Sequence, residues 1–216
     1  MKVMSLNIRG FGSLAQKDNK IGWFKRLRFK ESPEIVLIQE SKCNIVSDSW
    51  IEMIWGSSNF SYIQKPKVGK LGGLLLIWDP RIFVVSEAVE KEHFLAVKGK
   101  WNSNIEWVLC GDFNEVWDKD ERQNCQFKAS QAKLFNKFID ENKLIDVPLI
   151  GKRFTTICEN GQKFSKLDRF LVNDLFLQSW GDVAVTSLDR NTSDHCPILL
   201  KDGNNDFGPK PFKFFD

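Results

Sequence analysis

Residues 107–116 read WVLCGDFNEV, a mostly apolar run that ends in Gly-Asp-Phe-Asn. The length and composition of residues 107–110 are typical of a buried strand. The carboxylate of Asp112 and the amide of Asn114 follow that strand directly. This arrangement predicts either a tight, solvated turn or a site that binds a metal or a phosphate. Four other segments of the chain bear on that choice.

Short apolar runs like this one recur along the chain, separated by turn-forming residues. They predict strands at Val3–Leu6, Ile35–Ile38, Leu74–Trp78, Phe83–Val85, Trp107–Cys110 and Pro197–Leu200. Helical spacing intervenes in two places. The first is a basic segment with Ile21, Phe24 and Leu27 on one side. Strands outnumber helices, so the pattern predicts a layered α/β domain.

The second helical segment is SQAKLFNKFIDEN, residues 130–142. Ser130 is a candidate N-cap. Four large apolar residues fall on one predicted face of the helix: Leu134, Phe135, Phe138 and Ile139.

The bulk composition predicts a single domain in a reducing compartment. The chain has 216 residues, 42% of them hydrophobic, which is enough for one core. Five widely spaced cysteines fit neither a zinc ribbon nor a disulfide framework, so most are expected to be small core residues. The longest apolar run, residues 71–78, is too short to span a membrane, and no signal peptide is recognisable. We expect an intracellular protein of nucleus or cytoplasm, with a domain over residues 1–201 and a linker-like tail over 202–216.

Polar residues mark the ends of five predicted strands or strand entrances. They are Asn7, Glu40, the pair Asp112 and Asn114, Asp168, and the pair Asp194 and His195. An oxygen-rich set of this kind suits Mg²⁺ or Mn²⁺ rather than zinc. A hard metal, a carboxylate base and an imidazole together are suited to attack on a phosphodiester.

Each of these residues alone has a plainer explanation. Asn7 can be a turn residue, Glu40 a solvated strand end, and Asp168 an ion-pair partner of Arg169 or of a nearby lysine. The five segments together, in this order, favour a catalytic site.

In that order, the segments SLNIRG, IQES, GDFNEV, KLDRFLV and SDHCPI resemble the signatures of the endonuclease/exonuclease/phosphatase superfamily. GGLLLIWDP and FGPKPFKFF resemble more narrowly the apurinic-endonuclease-like domain of plant LINE-type (non-LTR) retrotransposons. The resemblance covers residues 2 to about 215. It implies a DNase I-like, four-layered α/β sandwich, in which two packed mixed β-sheets are flanked by helices.

The resemblance also implies roles for the polar residues. Glu40 would hold a divalent metal, Mg²⁺ or Mn²⁺, with Asn7 nearby. Asp194 would lie close to that metal or to a second one.

The remaining polar residues would act on water and phosphate. Asp112 would orient and activate the attacking water. Asn114 and His195 would contact the scissile phosphate, and Asp168 would orient His195.

Two features depart from the family pattern. Many members carry an acid two residues after the N-terminal Asn, where this chain has Arg9. Members usually also have an Asn-x-Tyr-x-Pro strand and a helix before the GDFN strand. Here no such motif occurs, and Tyr62, the only tyrosine, lies elsewhere. The departure predicts a shortened fold that lacks one strand and one helix.

The sequence supports three functional hypotheses. The first is a metal-dependent phosphodiesterase, most specifically a DNA-nicking endonuclease domain derived from a LINE-type retrotransposon. The second is a catalytically inactive remnant with at most weak nucleic-acid binding. The third is a phosphomonoesterase of the same superfamily. No membrane and no protein partner is inferred.

Basic residues give candidate DNA contacts, although a run of charge is also typical of a solvated face. Lys65, Lys67 and Lys70 cluster in a loop-like stretch near Gly69. A second basic group, in the first helix, comprises Lys25, Arg26, Arg28 and Lys30.

Overall fold

The structure is a computed structural model that describes residues 1–11, 14–69, 71–90, 95–101, 108–158 and 161–203. Its helices are α1 (Leu14–Glu31), α2 (Asp48–Trp55), α3 (Ala129–Glu141) and α4 (Asp174–Trp180). Its strands are β1 (Lys2–Asn7), β2 (Ile35–Gln39), β3 (Ser61–Val68), β4 (Leu71–Trp78), β5 (Phe83–Glu90), β6 (Leu95–Trp101), β7 (Val108–Asp112), β8 (Arg122–Gln123), β9 (Leu144–Asp146), β10 (Leu149–Ile150), β11 (Thr156–Cys158), β12 (Lys163–Ser165), β13 (Asp168–Asn173), β14 (Val183–Ser187) and β15 (Ile198–Asp202). None of the helices in this described part has the length and apolar content needed to cross a membrane.

The larger sheet has seven strands in the order β10-β14-β15-β1-β2-β4-β3. β1 and β2 lie next to each other and run parallel, so their carboxyl ends, Asn7 and Gln39, form a pair in the register. β1, β2 and β15 are apolar on both faces, as expected for strands covered on both sides.

Two apolar cores lie on the two faces of this sheet. On one face α1 and α2 cover the sheet, and Phe24, Ile51 and Trp55 pack against it. On the other face the second layer of strands packs against it, and Phe170 and Val172 of β13 contribute to that core. The sheet therefore lies between a helical layer and a second β layer.

The second β layer contains the three-stranded sheet β7-β13-β9 and the hairpin β5-β6. Phe135 and Ile139 of α3 pack on Leu171 at its outer face. The order helix, sheet, sheet, helix confirms the predicted four-layered α/β sandwich. In the part of the chain that the structure describes, β6 and β7 do not pair with each other, and the residues that join them, 102–107, are not described.

The predicted strands are present, and several are longer than expected. β4 and β5 extend well beyond the predicted Leu74–Trp78 and Phe83–Val85, and Trp107 lies outside the described residues. β15 runs to Asp202, which overlaps the predicted tail by one residue, whereas residues 204–216, including FGPKPFKFF, also lie outside.

The buried face of α3 differs from the prediction. Phe135 and Ile139 are buried as expected, but Leu134 is 68% exposed and Phe138 38% exposed. The buried stripe is narrow because α3 lies against a three-stranded sheet and covers it with one side only. Ser130 is not the N-cap: the helix begins after Lys128, without a side-chain capping bond.

The prediction that most cysteines are core residues is confirmed in part, since Cys196 is buried and Cys43 and Cys110 pack against the cores. All five lie within the described residues and all are free, but only Cys196 is fully buried. Cys43 and Cys110 are half-buried at the edges of the two main cores.

Candidate active site

Four strand ends bring the predicted polar residues together. Asn7 ends β1, Glu40 follows β2, Asp112 ends β7 and Asp168 begins β13. The side-chain amide nitrogen of Asn7 lies 3.1 Å from Oδ2 of Asp112 and 3.3 Å from Oε1 of Glu40. The amide therefore links carboxylates carried by the two different β layers.

His195 lies between two carboxylates, those of Asp112 and Asp168, which sit side by side on neighbouring strands of the second β layer. Asp112 and Asp168 are direct partners in the antiparallel register of β7 and β13. Nδ1 of His195 donates to Oδ2 of Asp168 over 2.9 Å, and Nε2 is 3.7 Å from Oδ2 of Asp112. The order Asp168, His195, Asp112 is that of an orienting acid, an imidazole and a second carboxylate.

This arrangement shifts the pKa of Asp112 and that of His195. Burial raises the pKa of Asp112 above its usual range and the charge of Asp168 adds to the rise, against the opposing effect of His195. Burial alone lowers the pKa of His195, but the hydrogen bond and charge of Asp168, with Asp112 and Asp194, outweigh it and raise that pKa. At neutral pH the site therefore favours a protonated imidazole more than free histidine does.

Two hydroxyl groups that the sequence prediction did not single out fix the backbone, one at His195 and the other at Asp168. Ser193 Oγ donates to the carbonyl of Asn7 over 2.7 Å and accepts the amide hydrogen of His195 over 3.1 Å. The buried hydroxyl of Thr155 accepts the backbone N–H groups of Leu167 and Asp168. Small hydroxyl residues are frequent in loops, so no sequence signal separates these two from the rest.

Gln39 and Gly111 form a second link between the β layers. Oε1 of Gln39 accepts the backbone N–H of Asp112 over 2.7 Å. A Cβ at Gly111 would lie 2.4 Å from Nε2 of Gln39, and the φ of Gly111 is +137°. Glycine is thus favoured before Asp112 by its positive φ. A Cβ there would also have to displace the side-chain amide of Gln39, which accepts the N–H of Asp112. In the sequence, the glycine of GDFN was the one feature that indicated a close contact at this position.

Asn114 lies just beyond Asp112, on the exposed side of the site. Its backbone N–H donates to Oδ1 of Asp112 over 2.8 Å, and its φ is +57°, a conformation that asparagine tolerates better than most residues. The turn therefore ties the backbone of Asn114 to the carboxylate of Asp112.

Asp168 does not pair with Arg169, the alternative that the sequence left open. Neighbouring residues of a strand point to opposite faces, and Arg169 points away from His195. It is fully buried and binds Glu121 and Asp146.

The residues fit one magnesium ion at Glu40. Within the described residues no group of three or more Asp, Glu, His or Cys side chains is placed to hold a metal ion by itself. Mg²⁺ commonly uses one or two carboxylates and completes its shell with water and substrate phosphate. The Glu40 side chain is about one-third exposed and its nearest cation, Nζ of Lys42, is 3.9 Å away, so its oxygens suit that role. Asn7 fits less well, since its Oδ1 accepts the N–H of Arg9.

Asp194 already forms an ion pair with a side chain of the protein, that of Arg9. Its Oδ1 lies 2.9 Å from Nε of Arg9, and its Oδ2 lies 3.5 Å from Sγ of Cys158. A second metal at Asp194 would have to compete with this guanidinium.

The lysine cluster is only partly available to a ligand. Lys65 and Lys67 lie on β3 rather than in a loop, and Lys65 pairs with Glu90 over 3.2 Å. Lys67 lies opposite Gly72, at the end of the sheet where Glu40 lies. Lys70 lies outside the described residues.

The basic half of α1 lies far from the site. α1 ends at Glu31, just before β2 begins at Ile35, whereas the site lies at the other end of β2. Within that half, the guanidinium of Arg28 stacks on Trp55, 4.2 Å from the ring centre.

Two β layers packed between helices, with these acids, amides and imidazole at one end, define a DNase I-like protein. The chain belongs to the Endonuclease/Exonuclease/phosphatase family, whose family model matches residues 4–195.

Solved structures with this fold cover nearly the whole chain. An AP endonuclease from Leishmania major superposes with a TM-score of 0.70 at 14% identity, over 93% of this chain and 86% of that one. A 3′ phosphatase from Neisseria, bound to a product DNA hairpin, gives 0.69 at 14% identity over 93% and 98%. An AP endonuclease from Archaeoglobus fulgidus gives 0.67 at 13% identity over 94% and 99%. No curated protein sequence shows significant similarity to the chain.

Proposed function

We propose that this protein is a Mg²⁺-dependent phosphodiesterase that nicks DNA, a domain derived from a LINE-type retrotransposon. The observation that carries the proposal is the chain of contacts from Asp168 through His195 to Asp112, with Asn7 joining Asp112 to Glu40. The likeness to DNA-processing enzymes supports it, since one of them is bound to a DNA product. The retrotransposon origin rests on the sequence resemblance.

In the proposed reaction Asp112 takes a proton from a water molecule whose oxygen attacks the phosphorus. The protonated His195, oriented by Asp168, donates a hydrogen bond to the phosphoryl oxygen as negative charge develops there. The bond from phosphorus to the 3′ oxygen breaks, and that oxygen takes a proton from solvent to complete the 3′-hydroxyl. Asp112 returns the proton that it took from the attacking water to solvent. Mg²⁺ bound at Glu40 would supply charge stabilisation to the phosphate.

The first test is nicking of supercoiled plasmid DNA in the presence of Mg²⁺. The wild-type chain is expected to convert supercoiled plasmid to open circles, and Glu40→Ala to lose that activity. Glu52→Ala, on the exposed face of α2, is the matched control and should retain it. Nicking that survives in Glu40→Ala, or that does not need Mg²⁺, would contradict the proposal.

The inactive-remnant hypothesis has one observation in its favour: β6 and β7 do not pair in the described part of the second β layer. A folded protein, verified by circular dichroism, that does not nick DNA would favour this alternative.

The likeness to a DNA-bound 3′ phosphatase is the reason to test for phosphomonoesterase activity as well as for nicking. An oligonucleotide with a 3′ phosphate, assayed beside the plasmid, separates the two. Release of phosphate without nicking would replace the endonuclease proposal by a phosphatase one.

A further inference from the structure

Arg9 is an arginine at the rim of a site that is rich in carboxylates. The carboxylates of Glu40, Asp112, Asp168 and Asp194 all lie at this end of the molecule. The guanidinium of Arg9 lies 2.9 Å from Asp194, and 47% of its side chain is exposed, against 25% for Asp194. It is thus a cation at the rim of the site, open to solvent on one side.

The backbone at Arg9 is fixed in an unusual conformation. Its φ is +52°, in the left-handed region that arginine rarely occupies. The N–H of Arg9 donates to Oδ1 of Asn7, and the flanking N–H groups of Ile8 and Gly10 donate to the carbonyls of Gln39 and Glu40. Both the main chain and the side chain of Arg9 are therefore positioned by the residues of the site.

Stability alone gives little reason for this arrangement. An ion pair as exposed as that of Arg9 and Asp194 contributes at most about 1 kcal/mol to folding. A left-handed non-glycine residue costs about 1–3 kcal/mol. Strained residues of this kind are concentrated at binding and catalytic sites.

The guanidinium has donors left for a second oxyanion. Arginine carries five N–H donors in a planar fork. Nε lies 2.9 Å from Oδ1 of Asp194 in an ion pair that lacks hydrogen-bond geometry. A phosphate approaching four carboxylates requires nearby cations, and arginine is the side chain best matched to phosphate geometry.

We propose that Arg9 binds a backbone phosphate of DNA, with Asp194 as the residue that positions its guanidinium. The inference rests on the proposed function and adds a substrate-binding residue to it. Asp194 then orients a cation of the chain, in contrast to the metal-binding role that the family resemblance implies for it.

The test measures DNA affinity as a function of salt, by fluorescence anisotropy of a labelled duplex. All variants carry Asp112→Asn and are assayed with Mg²⁺, so that the DNA stays intact. Arg9→Asn removes the charge but keeps a residue that tolerates positive φ, and Arg9→Lys keeps the charge. Arg81→Asn is the matched control: Arg81 is also exposed and paired, with Asp79 over 2.6 Å, but lies at the opposite end of the sheet.

Arg9→Asn is expected to weaken binding and to lower the slope of log affinity against log salt by about one unit. Arg81→Asn should keep the parent slope, and Arg9→Lys should keep the slope with weaker affinity. Equal slopes for Arg9→Asn and Arg81→Asn would overturn the proposal for Arg9, and plasmid nicking by the wild-type chain would still support the proposed function. A parent protein without salt-dependent DNA binding would overturn both.

Discussion

The side-chain nitrogen of Asn7, Nδ2, lies 3.1 Å from Oδ2 of Asp112, although the two residues belong to different β layers. Oε1 of Gln39 bridges the same layers when it accepts the N–H of Asp112. Both contacts are formed at the carboxyl ends of strands, where β1, β2 and β7 finish. The geometry of the site thus depends on the relative position of the two sheets, and a shift of one layer would separate Glu40 from Asp112.

Asp112→Asn should abolish nicking and raise the thermal stability at pH 7. Activity falls because the base is lost, a contribution of about 10²–10⁴-fold. Stability rises because the pKa of Asp112 is raised in the folded state, so its ionised form is disfavoured there by burial and by Asp168. Thermal melts of both proteins over a pH series measure this directly.

The sign of that effect can be checked at acid pH. Below the ordinary carboxyl pKa of 3.8, Asp112 is protonated in the folded and the unfolded chain, and the stability difference from Asp112→Asn should vanish. A variant that is less stable than wild type at pH 7 would contradict the raised pKa.

Asp168→Asn should lower the pKa of His195, because it removes the hydrogen bond and the charge that outweigh desolvation. NMR titration of the imidazole measures this, with His93→Gln as the background, since the chain has two histidines. If the protonated imidazole is the active form, the basic limb of the pH–rate profile moves to lower pH. An unchanged His195 titration would contradict the role of Asp168.

The same pKa shift contributes to stability with a defined sign. The folded-state pKa of His195 is above 6.5, so its contribution is fully present below pH 6.5 and is lost as pH rises through the folded value. Asp168→Asn should flatten this part of the stability profile.

Local sequence patterns were sufficient for the strand-end residues. An apolar run followed closely by a polar residue located Asn7, Glu40 and Asp112. The residue at the end of β1 is not solvated, since Asn7 is buried. The resemblance of these segments to a known family implied a four-layered sandwich with the segments at one end, and the four layers are confirmed.

Residues whose role depends on distant partners could not be found in that way. Gln39 and Ser193 act through contacts with Asp112 and Asn7, which are 73 and 186 positions away in the chain. No local period encodes such a pair. The exposure of Leu134 on α3 has a similar cause, since the width of a buried face depends on how much sheet covers it.

Gly111→Ala should destabilise the protein more than the same change at Gly151. Both glycines have positive φ, but only at Gly111 would the new Cβ meet a neighbour, the side chain of Gln39. The difference in unfolding free energy should be about 1–3 kcal/mol, the usual range for overpacking. Urea denaturation of the two variants measures it, and nicking should fall only in Gly111→Ala. Equal destabilisation would show that Gln39 moves aside without cost.

Arg169→Met should destabilise the fold by about 3–5 kcal/mol, because it leaves the half-buried carboxylates of Glu121 and Asp146 to share one cation, Lys166. Arg190→Met is the control: Arg190 is exposed, and its loss should cost less than about 0.5 kcal/mol in urea denaturation.

A second change distinguishes an unpaired charge from lost packing. Adding Glu121→Gln to Arg169→Met removes the buried charge, so the double variant should be more stable than Arg169→Met alone. Glu121 also accepts the backbone N–H of Trp117 over 2.6 Å, in the segment that follows Asn114. Nicking should therefore fall in Arg169→Met even at temperatures where the protein is fully folded. If the double variant is less stable than Arg169→Met, the ion-pair network around Arg169 stabilises the fold mainly through packing and hydrogen bonds. The balance of its charges would then matter less for stability.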